Sequence, residues 1–360
     1  MKIAVLGSGN GGCAAAFECA AAGHKVSIFD FEEFSGTIRV INETGGIYSE
    51  GDLEGFMPVE YSGHDIGKTI EGADIIIAVG PAYSTKPFAE VCKPYLQNGQ
   101  VVIICPGSCA GSLEFKIAAG IDMRDENIIV AETSTLPYAV RLIAPGKIKV
   151  YLRLKGGVIL SALPAIHTEY VLEKIKDIYP CMEPGKNILQ TSLQNANPMI
   201  HPSITLLNAA LIERTRGDFF FYHEGVTPVV GRLLKAIDTE RIAIGKKLNI
   251  DILPDPEIGK IQGYMTDTTY DTGYSEAPGF KGIKAQNSLD HRYYHEDVGY
   301  GLVFMKTLAE QAGVETPYIS AVIKLVSLLM NRDYLSEGKR TMESLGLSGY
   351  SPEELNNILS

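Results

Sequence analysis

No stretch of this sequence reaches the ~18 uninterrupted apolar residues a membrane-crossing helix needs, so no transmembrane segment is expected. The N-terminus begins on an apolar strand pattern with no signal-peptide architecture ahead of it, which leads us to expect a cytoplasmic protein. Positive charge is also scarce. Lys and Arg total 32 against 43 Asp and Glu, a formal charge of −11, which argues against a nucleic-acid partner because such partners need a basic face. Cys13, Cys19, Cys92, Cys105, Cys109 and Cys181 include no C-x-x-C pair, and no histidine cluster completes a zinc site. No metal is therefore expected, and the cysteines read as free thiols in a reducing compartment. Tryptophan is absent altogether, and nothing functional follows from that.

What is present is most informative at the start of the chain. Lys2–Leu6 reads as a strand and runs straight into Gly7-Ser8-Gly9-Asn10-Gly11-Gly12, followed by an alanine-rich helical segment. G-x-G-x-x-G between a strand and a helix is the context in which the pattern marks a dinucleotide site. Gly7 suits the tight turn, Gly9 the approach of a pyrophosphate, and Gly12 the close packing of helix on strand. The helix N-terminus beyond the loop offers unpaired N–H groups and a positive dipole end to phosphate, and Asn10 of the loop joins Gly7, Gly9 and Gly12 as a candidate cofactor-binding residue. A second strand, Lys25–Phe29, ends at Asp30, 18 residues after Gly12. A carboxylate there accepts from ribose hydroxyls and repels a 2′-phosphate, so NAD is expected over NADP. A glycine turn in some other βαβ unit, with Asp30 an ordinary turn residue, is the weaker reading. It does not account for strand, loop, helix, second strand and acid falling in order.

Continuous apolar runs follow at 73–79, 100–105 and 127–131 and suit strands buried on both faces of a parallel sheet. The loops at their ends flank the expected cofactor crevice and make Tyr83, Pro106 and Thr133 candidate cofactor neighbours, although loop geometry alone would also explain them. Residues 147–163 alternate around Lys155-Gly156-Gly157 and read as a β-hairpin closing the first domain. A helix is expected over 168–178, and the Pro, Gly, Asn and Gln of 181–197 read as a boundary. Beyond it the periods are helical: one long helix over 226–248, and another at 317–331 whose apolar residues suggest burial nearly all round. That second helix either packs inside its own domain or serves a homodimer. Residues 264–290 read as a long loop of the kind that is often functional. The expected fold is an α/β Rossmann domain over 1–185 followed by an all-α helical domain over 186–360.

The helical half holds two unusual segments. In Asn197-Pro198-Met199-Ile200-His201-Pro202, the pre-proline position places His201 at a helix entrance, where it could pass protons. A surface or capping histidine fits the spacing equally well. His291-Arg292-Tyr293-Tyr294-His295-Glu296-Asp297 gathers a guanidinium that can fork onto a carboxylate and acids that can orient an imidazole. A solvated helix start with local ion pairs is the alternative, and spacing alone does not join this segment to His201.

The glycine loop, Asn197–Pro202, Thr205–Ala210, Glu224–Pro228, Asp238–Ile244, Arg292-Tyr293 and Glu296-Asp297-Val298 together resemble the octopine/nopaline dehydrogenase family, the opine dehydrogenases, over nearly the whole chain. The resemblance implies a Rossmann domain followed by a helical domain. It also implies an NAD-dependent enzyme whose small-molecule substrates are a 2-oxo acid and an amino acid. By position it implies His201 as acid/base, Asp297 as its partner and Arg292 as a clamp for a substrate carboxylate. A 2-hydroxy acid or alcohol dehydrogenase with no amine partner is a second reading, but several such enzymes use a catalytic lysine, and the His201-Pro202 block favours the first. A non-catalytic NAD sensor is a third, and the presence of His201, Arg292 and Asp297 weighs against it.

Overall fold

The computed structural model describes every residue, Met1–Ser360, and divides into two units: Met1–Thr191 with Leu359–Ser360, and Ser192–Ile358. No helix is long and apolar enough to cross a membrane.

The first unit contains all the strands: β1 Lys2–Leu6, β2 Lys25–Phe29, β3 Gly46–Gly51, β4 Gly55–Pro58, β5 Tyr61–Gly63 and β6 Ile75–Ala78, then β7 Val101–Ile104, β8 Ile129–Thr133, β9 Tyr138–Ala144, β10 Lys147–Arg153, β11 Val158–Leu163 and β12 Met182–Pro184. Eight of them form one sheet in the order β12-β11-β8-β7-β6-β1-β2-β5. The pairs from β8 across to β5 are parallel, and β11 runs antiparallel to β8. The strands at its centre are buried along their length, as their unbroken apolar runs require. Leu6, Ile76, Val102 and Val130 belong to one core cluster. Each such side chain contributes about 1.5–3 kcal/mol on leaving water, which fixes the strand ends that carry the loops.

The structure departs from the sequence reading in three places here. The hairpin over 147–163 does not form: β10 and β11 lie in different sheets. β10 pairs antiparallel with β9 across the turn at Pro145-Gly146, where Gly146 has φ +70°, and parallel with β3. Lys155-Gly156-Gly157 instead lets the chain cross to the main sheet, where the buried run of β11 finds an apolar partner in β8. The second sheet, β4-β3-β10-β9, was not foreseen, because 46–58 is rich in Gly and acids and lacks a clean period of two. The helix over 168–178 shortens to Thr168–Ile175.

The second unit has no named strand; its named elements are all helices. Its long helix is Pro228–Lys247, with proline in the first turn where a missing N–H costs nothing. The helix Pro317–Leu329 corrects a fourth expectation. Ile319, Val322, Ile323 and Val326 are buried, but Leu325 is 49 % and Leu328 76 % exposed, so it buries one face only. The segment 264–290 is not featureless: it carries short turns at Thr272–Ser275 and Pro278–Phe280.

Candidate active site

In the first unit the glycines divide by what surrounds them. Gly7 has φ +101°, and a Cβ there would lie 2.2 Å from Val79 O. A Cβ on Gly12 would lie 1.9 Å from Gly7 O, so this residue is what lets the helix Asn10–Ala21 start against β1. Gly9, by contrast, has nothing within 4 Å. It caps that helix with no side chain bonded to the first turn, which leaves backbone N–H groups facing open space. This is a cradle that fits a pyrophosphate.

Asp30 follows β2 and is buried beneath the same loop. Its Oδ2 accepts from the backbone N–H of Ser8 at 2.7 Å and from the Ser8 hydroxyl at 2.6 Å, and its Oδ1 accepts from Phe31 N–H at 2.9 Å. The Asn10 side chain is turned away: its Oδ1 accepts from Leu142 N–H at 2.7 Å and ties the helix start to β9. Beyond Asp30 lies a cavity of about 450 Å³ lined by Phe29, Phe31, Glu32, Glu33, His64, Ile66 and Val91.

Tyr83, Pro106 and Thr133 lie at the C-terminal ends of β6, β7 and β8, which are adjacent and parallel, so all three share one sheet edge. Tyr83 is exposed, whereas Thr133 is buried and its hydroxyl donates to Thr135 O at 2.9 Å. The sequence reading missed Glu132 beside it. Its buried carboxylate accepts from Ser112 N–H and hydroxyl at 2.9 and 2.7 Å and from the Thr191 hydroxyl at 2.6 Å. This anchors the loop in which Ser108, Cys109 and Ala110 have φ +46°, +70° and +57°, a run of left-handed residues of the kind that clusters at ligand sites.

In the second unit the two unusual segments meet. His201 lies within the helix Asn197–Leu207, not at its entrance: Pro198 takes the first turn and Pro202 sits inside. Burial of Pro198 through Thr205 overrides the pre-proline preference, and the Ser203 hydroxyl donates to Met199 O at 2.6 Å across the disrupted turn. Asp297 opens a π-helical turn, Asp297–Leu302, a geometry often found at functional sites. A Cβ on Gly301 would lie 2.3 Å from Pro198 Cγ, so glycine there permits the turn to press against the His201 helix. The result is a contact of 2.9 Å between His201 Nδ1 and Asp297 Oδ2, both residues buried. An ionised carboxylate only accepts, so beside it Nδ1 carries the hydrogen and Nε2 is left with the lone pair. Burial pushes the Asp297 carboxyl up to about 7, against the pull of the Arg292 guanidinium.

Tyr293 stacks on the imidazole at 4.0 Å between centroids and 17° between planes. Arg292 is 45 % exposed at its side chain and donates from Nη1 to the buried Glu296 carboxylate at 2.8 Å, which leaves the other edge of its fork for an anion. His291 caps the short helix Arg292–His295, with Nδ1 accepting from Tyr293 N–H at 3.3 Å, and burial followed by the charge of Arg292 pushes it down to about 4. His295 belongs elsewhere, bonded to the Tyr334 hydroxyl and to Asp290. Tyr222, which the sequence reading did not single out, places its hydroxyl 3.2 Å from His201 Nε2.

Residues 184–330 match the family described as NAD/NADP octopine/nopaline dehydrogenase, alpha-helical domain, and residues 2–114 match the NAD-dependent glycerol-3-phosphate dehydrogenase N-terminus. The chain is 37 % identical to an opine dehydrogenase of Arthrobacter sp. (strain 1C) over 347 residues, 96 % of this chain and 95 % of that one. It is 28 % identical to the tauropine dehydrogenase of Arabella iricolor, covering 75 % and 74 % of the two chains. Among solved structures, an octopine dehydrogenase in complex with NADH and agmatine shares the fold with a TM-score of 0.76 at 17 % identity, over 100 % of this chain and 96 % of that one. A yersinopine dehydrogenase with NADP+ bound gives 0.71 at 15 % identity, over 99 % and 97 %.

Proposed function

This chain belongs to the opine dehydrogenase family, and we propose on that premise how its residues carry out the reaction. It is an NAD-dependent oxidoreductase acting on CH–NH groups, which condenses a 2-oxo acid with the amine of an amino acid and reduces the product to an N-(carboxyalkyl) amino acid. We assign the 2-oxo acid as a small one such as pyruvate.

Gly7, Gly9, Asn10, Gly12 and Asp30 hold the dinucleotide, with Tyr83, Pro106 and Thr133 beside it along the strand ends. The open face at Gly9 and the crowding at Gly7 and Gly12 fit that group. Glu32 and Glu33 in the cavity beyond Asp30 add negative charge where a 2′-phosphate would have to sit, which favours NADH. When bound, NADH supplies the hydride.

The observation that carries the catalytic assignment is the 2.9 Å contact between His201 and Asp297. Neutral His201 takes a proton at Nε2 from the substrate's ammonium group; the freed amine attacks the oxo carbon to form the C–N bond, and transfer of one N–H proton to the oxygen leaves a carbinolamine. Expelling its hydroxyl as water requires a proton, which His201 gives from Nε2 while the nitrogen lone pair closes the C=N bond. Asp297 stabilises the imidazolium that precedes this step and fixes the tautomer that follows it. Arg292 holds a substrate carboxylate with the part of its fork that Glu296 leaves. The stacked ring of Tyr293 keeps water from one face of the imidazole.

We also place the protein in the cytoplasm, a reading supported by six cysteines that are all buried and outside any disulfide. The exposed Tyr318, Leu325, Leu328 and Leu329 on one helix support a homodimer.

NADH oxidation with pyruvate alone, with pooled amino acids alone and with both tests the reaction. Turnover only with both supports it. Turnover with the oxo acid alone makes the enzyme a hydroxy acid dehydrogenase, and binding without turnover makes it a sensor.

A further inference from the structure

The Tyr222 hydroxyl touches the nitrogen through which His201 works, and the reaction set out above leaves it without a role. We propose that Tyr222 is a positioning residue for the acid/base: its hydroxyl holds Nε2 as an acceptor in the free enzyme, and the aromatic loop 264–284 holds Tyr222. This rests on the assignment of His201 as the acid/base.

The bond's direction follows from the dyad. With the Nδ1 hydrogen given to Asp297, the neutral ring has a lone pair on Nε2, and the phenol donates to it. The imidazole is thus pinned at both nitrogens, and Tyr293 stacks on one face. When Nε2 carries a proton, the same phenol oxygen can accept it or yield its place to a substrate oxygen. Donation to the lone pair favours the neutral ring, whereas the Asp297 carboxylate favours the charged one. Tyr293 and Phe221 also face the His201 ring, and His291 interacts with it electrostatically.

Tyr222 cannot easily leave its position. It is 5 % exposed, packs edge-on against Phe221 at 5.0 Å and stacks on Phe280 at 4.1 Å and 13°. Phe280 in turn stacks on Tyr264 at 5.0 Å. The loop that carries Phe280 is fixed to the helices behind it. The Tyr270 hydroxyl donates to Asp238 Oδ2 at 2.5 Å, and the Tyr274 hydroxyl donates to Asp255. Main-chain bonds from Phe221 N–H to Ile283 O and from Ala285 N–H to Phe219 O join the loop to the segment bearing Tyr222. The long loop thus has a purpose that its sequence alone does not disclose.

Steady-state kinetics of Tyr222→Phe across pH test the proposal. This change keeps the stack and removes only the hydroxyl. We expect kcat to fall about 3–10-fold, the scale of one lost hydrogen bond, with the KM for NADH unchanged. The limb of the kcat/KM profile that reports His201 should move to higher pH, opposite to its movement in Asp297→Asn. Phe280→Leu keeps the hydroxyl and loosens its support. It should move the limb the same way by less, and the double variant should be no worse than Tyr222→Phe. Wild-type kcat with an unmoved limb in Tyr222→Phe, or an unmoved limb in Phe280→Leu should the first variant not fold, overturns the proposal. His201→Ala separates the two readings: near-normal turnover there refutes the acid/base assignment itself, whereas an inactive His201→Ala beside a normal Tyr222→Phe refutes only the role of Tyr222.

Discussion

The carboxylate of Asp30 accepts from both the main chain and the hydroxyl of Ser8, at 2.7 and 2.6 Å, so the acid that ends β2 also holds the first turn of the glycine loop in shape. We assign Asp30 two duties, selecting the cofactor and shaping this loop, and removing it should show both. We predict a strong preference of the wild-type enzyme for NADH over NADPH. In Asp30→Ala the two cofactors should converge in kcat/KM, and the KM for NADH should rise because Ser8 is released. Comparable kcat/KM for both cofactors in the wild type would remove Asp30 from cofactor selection.

Gly9 and Gly12 should fail differently. A Cβ at residue 9 meets nothing, so Gly9→Ala should keep its melting temperature and lose NADH affinity. A Cβ at residue 12 would sit 1.9 Å from Gly7 O, so Gly12→Ala must shift the helix, at a cost of about 1–3 kcal/mol, and lose cofactor binding as well. Thermal melts and NADH fluorescence titrations separate the two, and equal melting losses would contradict the assignment of Gly9 to the ligand.

His201 and Asp297 should behave as one unit. His201→Ala should lower kcat about 10²–10⁴-fold, with NADH affinity nearly unchanged. Asp297→Asn should also lower kcat, and the double variant should be little worse than the poorer single one. Additive losses, measured as a double-mutant cycle in kcat, would mean that the 2.9 Å contact does no joint work.

Arg292→Lys should raise the KM for one substrate acid and leave the fold intact, because an ammonium replaces a planar fork by a point charge. The expected loss is about 1.5–3 kcal/mol in kcat/KM, the scale of a charge-assisted bond. If the kinetics do not move, Arg292 serves only its ion pair with Glu296.

Asp255 predicts a pH dependence of stability. Burial, followed by the neighbouring Asp238 carboxylate, pushes its pKa up to about 6 from 3.8. A raised carboxyl is more easily protonated in the folded state than in the unfolded chain. Its stabilising effect is therefore complete below about pH 4 and is lost as pH rises to about 6, on the order of 3 kcal/mol in all. Asp255→Asn keeps an acceptor for Tyr274 and cannot ionise, so its melting temperature should exceed the wild type's by more at pH 8 than at pH 4. A constant difference would show Asp255 ionised throughout and paired with Arg241.

The sequence by itself determined the elements whose signals are local. Lys2–Leu6, the glycine loop and Asp30 could be read in order because a tight turn, a close approach and a strand end each constrain residue type directly. The buried parallel strands were legible for the same reason: burial on both faces demands an unbroken apolar run. Helices of the second unit were visible from their period, but which faces would be buried was not, as Leu328 at 76 % exposed shows, since that depends on neighbours far along the chain. The same limit hid the crossing of 154–157 between two sheets and the pairing of 46–58 with β10.

The candidate site was decided almost wholly by tertiary structure. Spacing could flag His201 and Asp297 separately, but they lie 96 residues apart, and only the packing of a π-helical turn on a proline-bearing helix brings them to 2.9 Å. The sequence placed His201 at a helix entrance because a following proline disfavours helix locally, and burial of the whole helix outweighed that preference. Tyr222 and Phe280 carry no motif at all. Their relation to His201 exists only because Tyr270 and Tyr274 fasten a long loop onto buried carboxylates. A local pattern reports what the backbone needs at one place, whereas the meeting of an imidazole, a carboxylate and a phenol is a property of packing that no single segment encodes.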